Sequence, residues 1–223
     1  MFLGHIAVGF ATKRAAPRTS LGLLMAAPML ADLVWPIFLL LGVEHVRIDP
    51  GNTPVTPLDF VSYPWSHSLL MLTLWGLALA GLYWWRTRYR AGAIWLGIGV
   101  VSHWVLDAVS HRADMPLWPG GPKVGLGLWY SMPATVMVES AMLAAGLAIY
   151  LGATRMNNVW GRVSLWSFVG LIVLAYAGAL TSGPPPDSET LARFALVAWI
   201  FVPWAWWIEQ TRRTTVDTGV TSD

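Results

Sequence analysis

Six stretches of the chain are apolar over the ~20 residues that a helix needs to cross a bilayer. They are Leu21–Val43, Asp59–Trp85, Ala91–Ser110, Met132–Gly152, Val163–Thr181 and Leu191–Ile208. Short segments rich in Pro, Gly or charge separate them. The pattern predicts an all-α, polytopic transmembrane bundle of six spans. It reads as one domain over residues 1–210, with a polar tail over 211–223 expected to be disordered in the cytoplasm. Met1–Thr12 is apolar but too short to cross, so it is expected to form a half-inserted or interfacial helix.

The charges between the apolar stretches alternate. Lys13, Arg14 and Arg18 precede the first, Arg86, Arg88 and Arg90 follow the second, Arg155 and Arg162 the fourth, and Arg212 and Arg213 the sixth. The intervening loops hold Glu44, Asp49, Asp59, Asp114, Asp187 and Glu189, with only Arg47, Arg112 and Lys123 for positive charge. The positive-inside rule then puts both termini in the cytoplasm. Composition agrees: 56% of residues are hydrophobic and 12% charged, against about 25% charged in soluble domains. Fifteen Trp suit two membrane interfaces, with Trp84–Trp85, Trp204 and Trp206–Trp207 as aromatic belts and Arg193 snorkelling at a helix end. A net charge of +2 argues against a nucleic-acid partner, and the absence of Cys leaves only imidazole and carboxylate as metal ligands.

Ionisable groups inside a span are costly and mark function by default. Here they are Asp32, His67, His103, Asp107 and Glu139, with His111 just past a helix end. Counting about 1.5 Å per residue from the nearest basic loop puts Asp32 about 21 Å up, His103 about 20 Å, Asp107 about 25 Å, His67 about 28 Å and Glu139 about 24 Å. Five groups on four helices thus share one layer, in the outer third of a core about 30 Å thick. In SHWVLDAVSH, the spacing of four puts His103, Asp107 and His111 on one helix face. An i, i+4 pair can chelate one ion from a single helix. This donor set suits zinc, and an open coordination position would bring the pKa of a bound water to about 7. Arg112, beside the cluster, is a candidate for holding a phosphate. His45, Asp49, Asp59 and Asp114 read as solvated loop residues. His5 is eight residues before Lys13, about 12 Å along a helix, which leaves it about 8 Å short of the layer.

Four segments, GHIAVGF, APMLADLVWP, PWSHS and SHWVLD, together resemble the YdjM-like membrane-bound metal-dependent hydrolases, a bacterial inner-membrane family, over roughly residues 1–145. That family is in turn similar to the zinc-dependent phospholipase C and nuclease superfamily. The resemblance implies metal ligands at His5, Asp32, His67, His103 and Asp107, with Asp107 able to bridge ions and His111 a further ligand. Thr135 stands four residues before Glu139, where the superfamily carries another His.

The function expected is hydrolysis of a phosphoester, in a membrane lipid or a phosphorylated small molecule reaching the outer side, with one or two Zn²⁺. Asp107, Glu139 and His111 are the candidate catalytic groups, the last two as an extra ligand or a general acid. Two other classes fit the same residues: a transporter or metal-ion carrier using the layer as its binding site, and a structural membrane protein in which these groups only join helices.

Overall fold

The computed structural model describes residues 1–215. Among them, five helices are long and apolar enough to cross a membrane: α5 (Leu69–Thr87), α6 (Arg90–Ser110), α7 (Met132–Ala153), α8 (Trp160–Thr181) and the run Ser188–Thr211, which comprises α9 (Ser188–Ala195), a 3-10 segment and α10 (Phe201–Thr211). Before them come α1 (Phe2–Ala15), α2 (Leu21–Ala26), α3 (Leu30–Leu40) and the one-turn α4 (Pro64–His67). The predicted helical membrane bundle is therefore what forms, with two of the six expected spans corrected.

The first expected span is broken. The helix stops at Ala26 and restarts at Leu30, around Pro28, which has no N–H to continue the ladder. Pro36 lies inside the second piece. The second expected span begins ten residues late, because Leu58–Ser62 is a strand and Ser68 caps the helix by accepting from the Met71 N–H at 3.2 Å.

Among the described residues three antiparallel strand pairs form: the hairpins β1 (His45–Ile48) with β2 (Leu58–Ser62) and β3 (Met115–Pro116) with β4 (Lys123–Val124), and the long-range pair β5 (Thr154–Met156) with β6 (Arg212–Thr214). The last of these orders the start of the segment expected to be a disordered tail. Residues 216–223 lie outside the described residues.

The loops rich in basic residues gather at one end. Arg18 sits over the Tyr89 ring at 4.8 Å, Lys13 pairs with Glu209 at 2.5 Å, and Arg155 faces Arg213 across the β5–β6 strand pair. The two hairpins and the Arg112–Asp59 ion pair lie at the opposite end. Met1 lies beside Asp107, away from the basic loops. It is buried, and its amino group pairs with Asp107.

The N-terminal helix α1 is neither interfacial nor superficial. It packs on α7, α2 and α6, with Leu3, Ile6 and Phe10 in the largest apolar core beside Leu21, Met25, Leu143, Tyr150 and Phe168. Gly146 makes this approach possible: a Cβ there would lie 2.5 Å from the Ala7 carbonyl oxygen and 2.8 Å from its Cα. Gly146→Leu should therefore push α1 off α7 and destabilise the protein by about 1–3 kcal/mol, read as a lower melting temperature in detergent. Gly152→Ala, with open space around it, should leave the melting temperature unchanged or slightly raised.

Candidate metal centre

The broken helices bring the polar layer together. His103 and Asp107 project from α6, His5 from α1, Asp32 from α3, and His67 from the end of α4. Two overlapping groups could hold a metal ion: His5, His103 and Asp107, and Asp32, His67 and His103. Within each, one donor atom per residue lies within 4.8 Å of the others. The His5 and His103 rings stack with centroids 4.0 Å apart, and His67 meets His103 edge-on at 5.0 Å. All are buried except Asp32, whose side chain is 36% exposed.

The expected shortfall of His5 does not occur, because Lys13 does not mark the membrane edge. Lys13 is buried, donating to the Thr19 carbonyl at 2.7 Å and to Glu209 at 2.5 Å. The whole of α1 thus starts deeper than a charge count suggests.

The hydrogen-bond partners fix where two of the imidazoles must carry a proton. His103 Nδ1 lies 2.8 Å from the Pro28 carbonyl oxygen, which can only accept, so Nδ1 carries the proton. In the neutral ring Nε2 then holds a lone pair, 3.0 Å from Asp107 Oδ2 and without a hydrogen-bond partner among the described residues. His111 follows the same rule. Its Nδ1 donates to Asp114 Oδ1 at 2.9 Å, leaving Nε2 3.7 Å from the same Asp107 oxygen. Burial holds His111 below the usual imidazole range, which favours this neutral form.

His67 Nε2 faces Asp32 Oδ1 at 3.6 Å. His5 Nε2 is 3.1 Å from Asp107 Oδ1, where the Met1 amino group also pairs, and its Nδ1 has no hydrogen-bond partner among the described residues. Where Nδ1 holds the only ring proton, as in neutral His103 and His111, the Nε2 lone pair faces a carboxylate, and a cation between them relieves the repulsion. The donor set, its burial and the unpartnered nitrogens therefore fit a divalent metal ion.

Glu139 has another occupation here. Its Oε2 accepts the Leu3 backbone N–H at 2.6 Å, at the N-terminus of α1 where a negative charge is favoured. It is near the centre but in neither donor group. His111 is also in neither group. Thr135 turns its hydroxyl to the Leu128 and Ser131 carbonyls.

Three acids read from the sequence as loop residues are buried. Asp114 backs His111. Burial alone would raise its carboxyl, but the His111 hydrogen bond and the neighbouring Arg112 hold it below the usual range. Asp59 pairs with Arg112 and Arg47. Glu44 binds the segment that carries His67. Arg112 is already engaged by Asp59, by Asp114 at 3.1 Å and by Asn52 at 2.6 Å. His45 and Asp49 are exposed, as expected.

A helical, multi-pass membrane protein with a buried His/Asp centre is thus the class that fold and site define. The model of the YdjM inner membrane protein family matches residues 1–183, and the chain belongs to that family. The match takes in every donor of the centre, together with α7 and α8. It places the protein in the inner membrane. No curated protein and no solved structure matches the chain.

The position of Glu139 gives a direct test. Glu139→Gln keeps an oxygen that can accept from Leu3, so metal content measured on purified protein should stay at the wild-type level. His103→Ala removes the residue shared by both groups and should abolish metal binding.

Proposed function

We propose that this centre holds a divalent metal ion, zinc by its donor set, and hydrolyses a phosphoester on the side of the membrane opposite the basic loops. The observation that carries the reading is the outward turn of the imidazole protons. His103 and His111 give theirs to protein acceptors and aim bare nitrogens at Asp107. Because His103 Nδ1 is committed to Pro28, the two donor groups share one nitrogen, which favours a single ion at His103.

His5, Asp32, His67, His103 and Asp107 would hold the ion. Bound there, it would supply Lewis acidity to a phosphoryl oxygen and lower the pKa of a water. The chain supplies the rest. His111 Nε2 is placed to take a proton at the centre, and Asp114 behind it stabilises the resulting imidazolium. Beyond Asp114 opens a cavity of about 510 Å³ lined by Arg47, Asp59, Arg112, Lys123 and Tyr130. Its three cationic side chains outnumber the two carboxylates of Asp59 and Asp114 that also line it, and the excess positive charge suits an anionic substrate. This is the end that the alternation of loop charge puts outside.

A carrier would need a polar route from the centre to the basic end. Buried Leu24, Leu72, Leu96 and Val100, with Ile6, Phe10, Leu21 and Met25, occupy that part of the bundle. The apolar fill favours an enzyme open on one side.

The test uses purified protein in detergent, with a short-chain phospholipid and bis(p-nitrophenyl) phosphate as probes. Hydrolysis should stop with a chelator and return with Zn²⁺. His111→Ala should keep the metal but lose about 100-fold or more in rate. A metal-loaded protein that cleaves neither probe, yet moves Zn²⁺ into vesicles, would favour the carrier instead.

A further inference from the structure

We infer that Glu44, acting through Ser66, is the positioning residue that decides which nitrogen of His67 is offered to the metal. This rests on the metal reading above and adds a group that nothing in the ligand pattern calls for.

Glu44 lies between α3 and β1, is 1% exposed, and hangs from the last turns of α3 by its own N–H, 3.2 Å from the Phe38 carbonyl. Its Oε1 accepts the N–H groups of Trp65 at 2.7 Å and Ser66 at 2.9 Å. Its Oε2 is 2.5 Å from Ser66 Oγ, and that hydroxyl is 2.6 Å from His67 Nδ1.

A hydroxyl has one proton to give, and a carboxylate can only accept. The Ser66 proton must therefore go to Glu44. Ser66 Oγ is left to accept, so His67 Nδ1 must be the protonated nitrogen. The lone pair is then on Nε2, which faces Asp32. If the hydroxyl turned to His67 instead, two bare oxygens would face each other at 2.5 Å. The opposite tautomer, with its proton on Nε2, would not ligate a metal on that side.

Trp35 and Tyr63 pack against the His67 ring, with centroids 6.2 and 5.0 Å away, and resist its rotation. Glu44 also ties α3, which carries Asp32, to the segment carrying His67. One carboxylate thus sets both the tautomer of one ligand and its distance from another. Second partners of this kind typically change metal affinity by about 10–100-fold.

The test separates positioning from simple support of the fold. Ser66→Ala removes the relay but leaves Glu44 both backbone bonds. Glu44→Gln is isosteric, and its amide would donate to Ser66 Oγ and turn the hydroxyl proton onto His67 Nδ1. Both variants should bind Zn²⁺ about 10–100-fold more weakly in a competition titration. Ser66→Thr, which keeps the hydroxyl, should bind as wild type. In metal-free protein labelled with ¹⁵N-histidine, His67 should be protonated on Nδ1 in wild type and on Nε2 in Glu44→Gln.

Equal Zn²⁺ affinity in all four proteins, or one unchanged His67 tautomer in wild type and Glu44→Gln, would overturn the inference. If wild type binds no Zn²⁺, the metal reading fails, and the metal-free spectra still decide the relay by themselves.

Discussion

Every imidazole of the centre that has an acceptor behind it turns its proton away from Asp107 and Asp32. Pro28, Ser66 with Glu44, and Asp114 take the protons of His103, His67 and His111. In the neutral rings this leaves bare nitrogens around two carboxylates. Buried anions and lone pairs cannot stay so close without positive charge, and ionisable groups are especially costly inside a membrane. The rest of the site follows from this constraint: the stacked rings, the buried α1, and the Met1 amino group drawn onto Asp107.

The positions where the helices break are the positions that build the site. A continuous first span would have kept the Pro28 carbonyl within its own helix. The break at residues 27–29 leaves it to bind His103. A second span running unbroken from Asp59 would have held His67 on a regular helix. Instead Ser66, His67 and Ser68 lie where α4 ends and α5 begins, and the Ser66 and Ser68 hydroxyls serve the relay and the cap. Local departures from regular structure at a site are expected where function competes with propensity.

Much of this was legible in the chain. Apolar length gave α6 to α8 closely, and the depth count pointed to Asp32, His67, His103 and Asp107 as neighbours, as the structure has them. The i, i+4 spacing put His103 and Asp107 on one face. What failed depended on contacts distant in sequence. Lys13 looked like a membrane edge because nothing near it reveals Glu209, 196 positions away. Asp59 looked like a solvated loop acid because its partner Arg112 comes from another segment. Strand pairs of two to five residues between spans leave no periodic signal long enough to read.

X-ray absorption at the zinc edge of the purified, full-length protein tests the central claim most directly. The account predicts a stoichiometric ion with nitrogen and oxygen neighbours only, and with the outer-shell scattering of at least two imidazoles, lost in His103→Ala. Protein that takes up no zinc, or a spectrum without imidazole scattering, would contradict it.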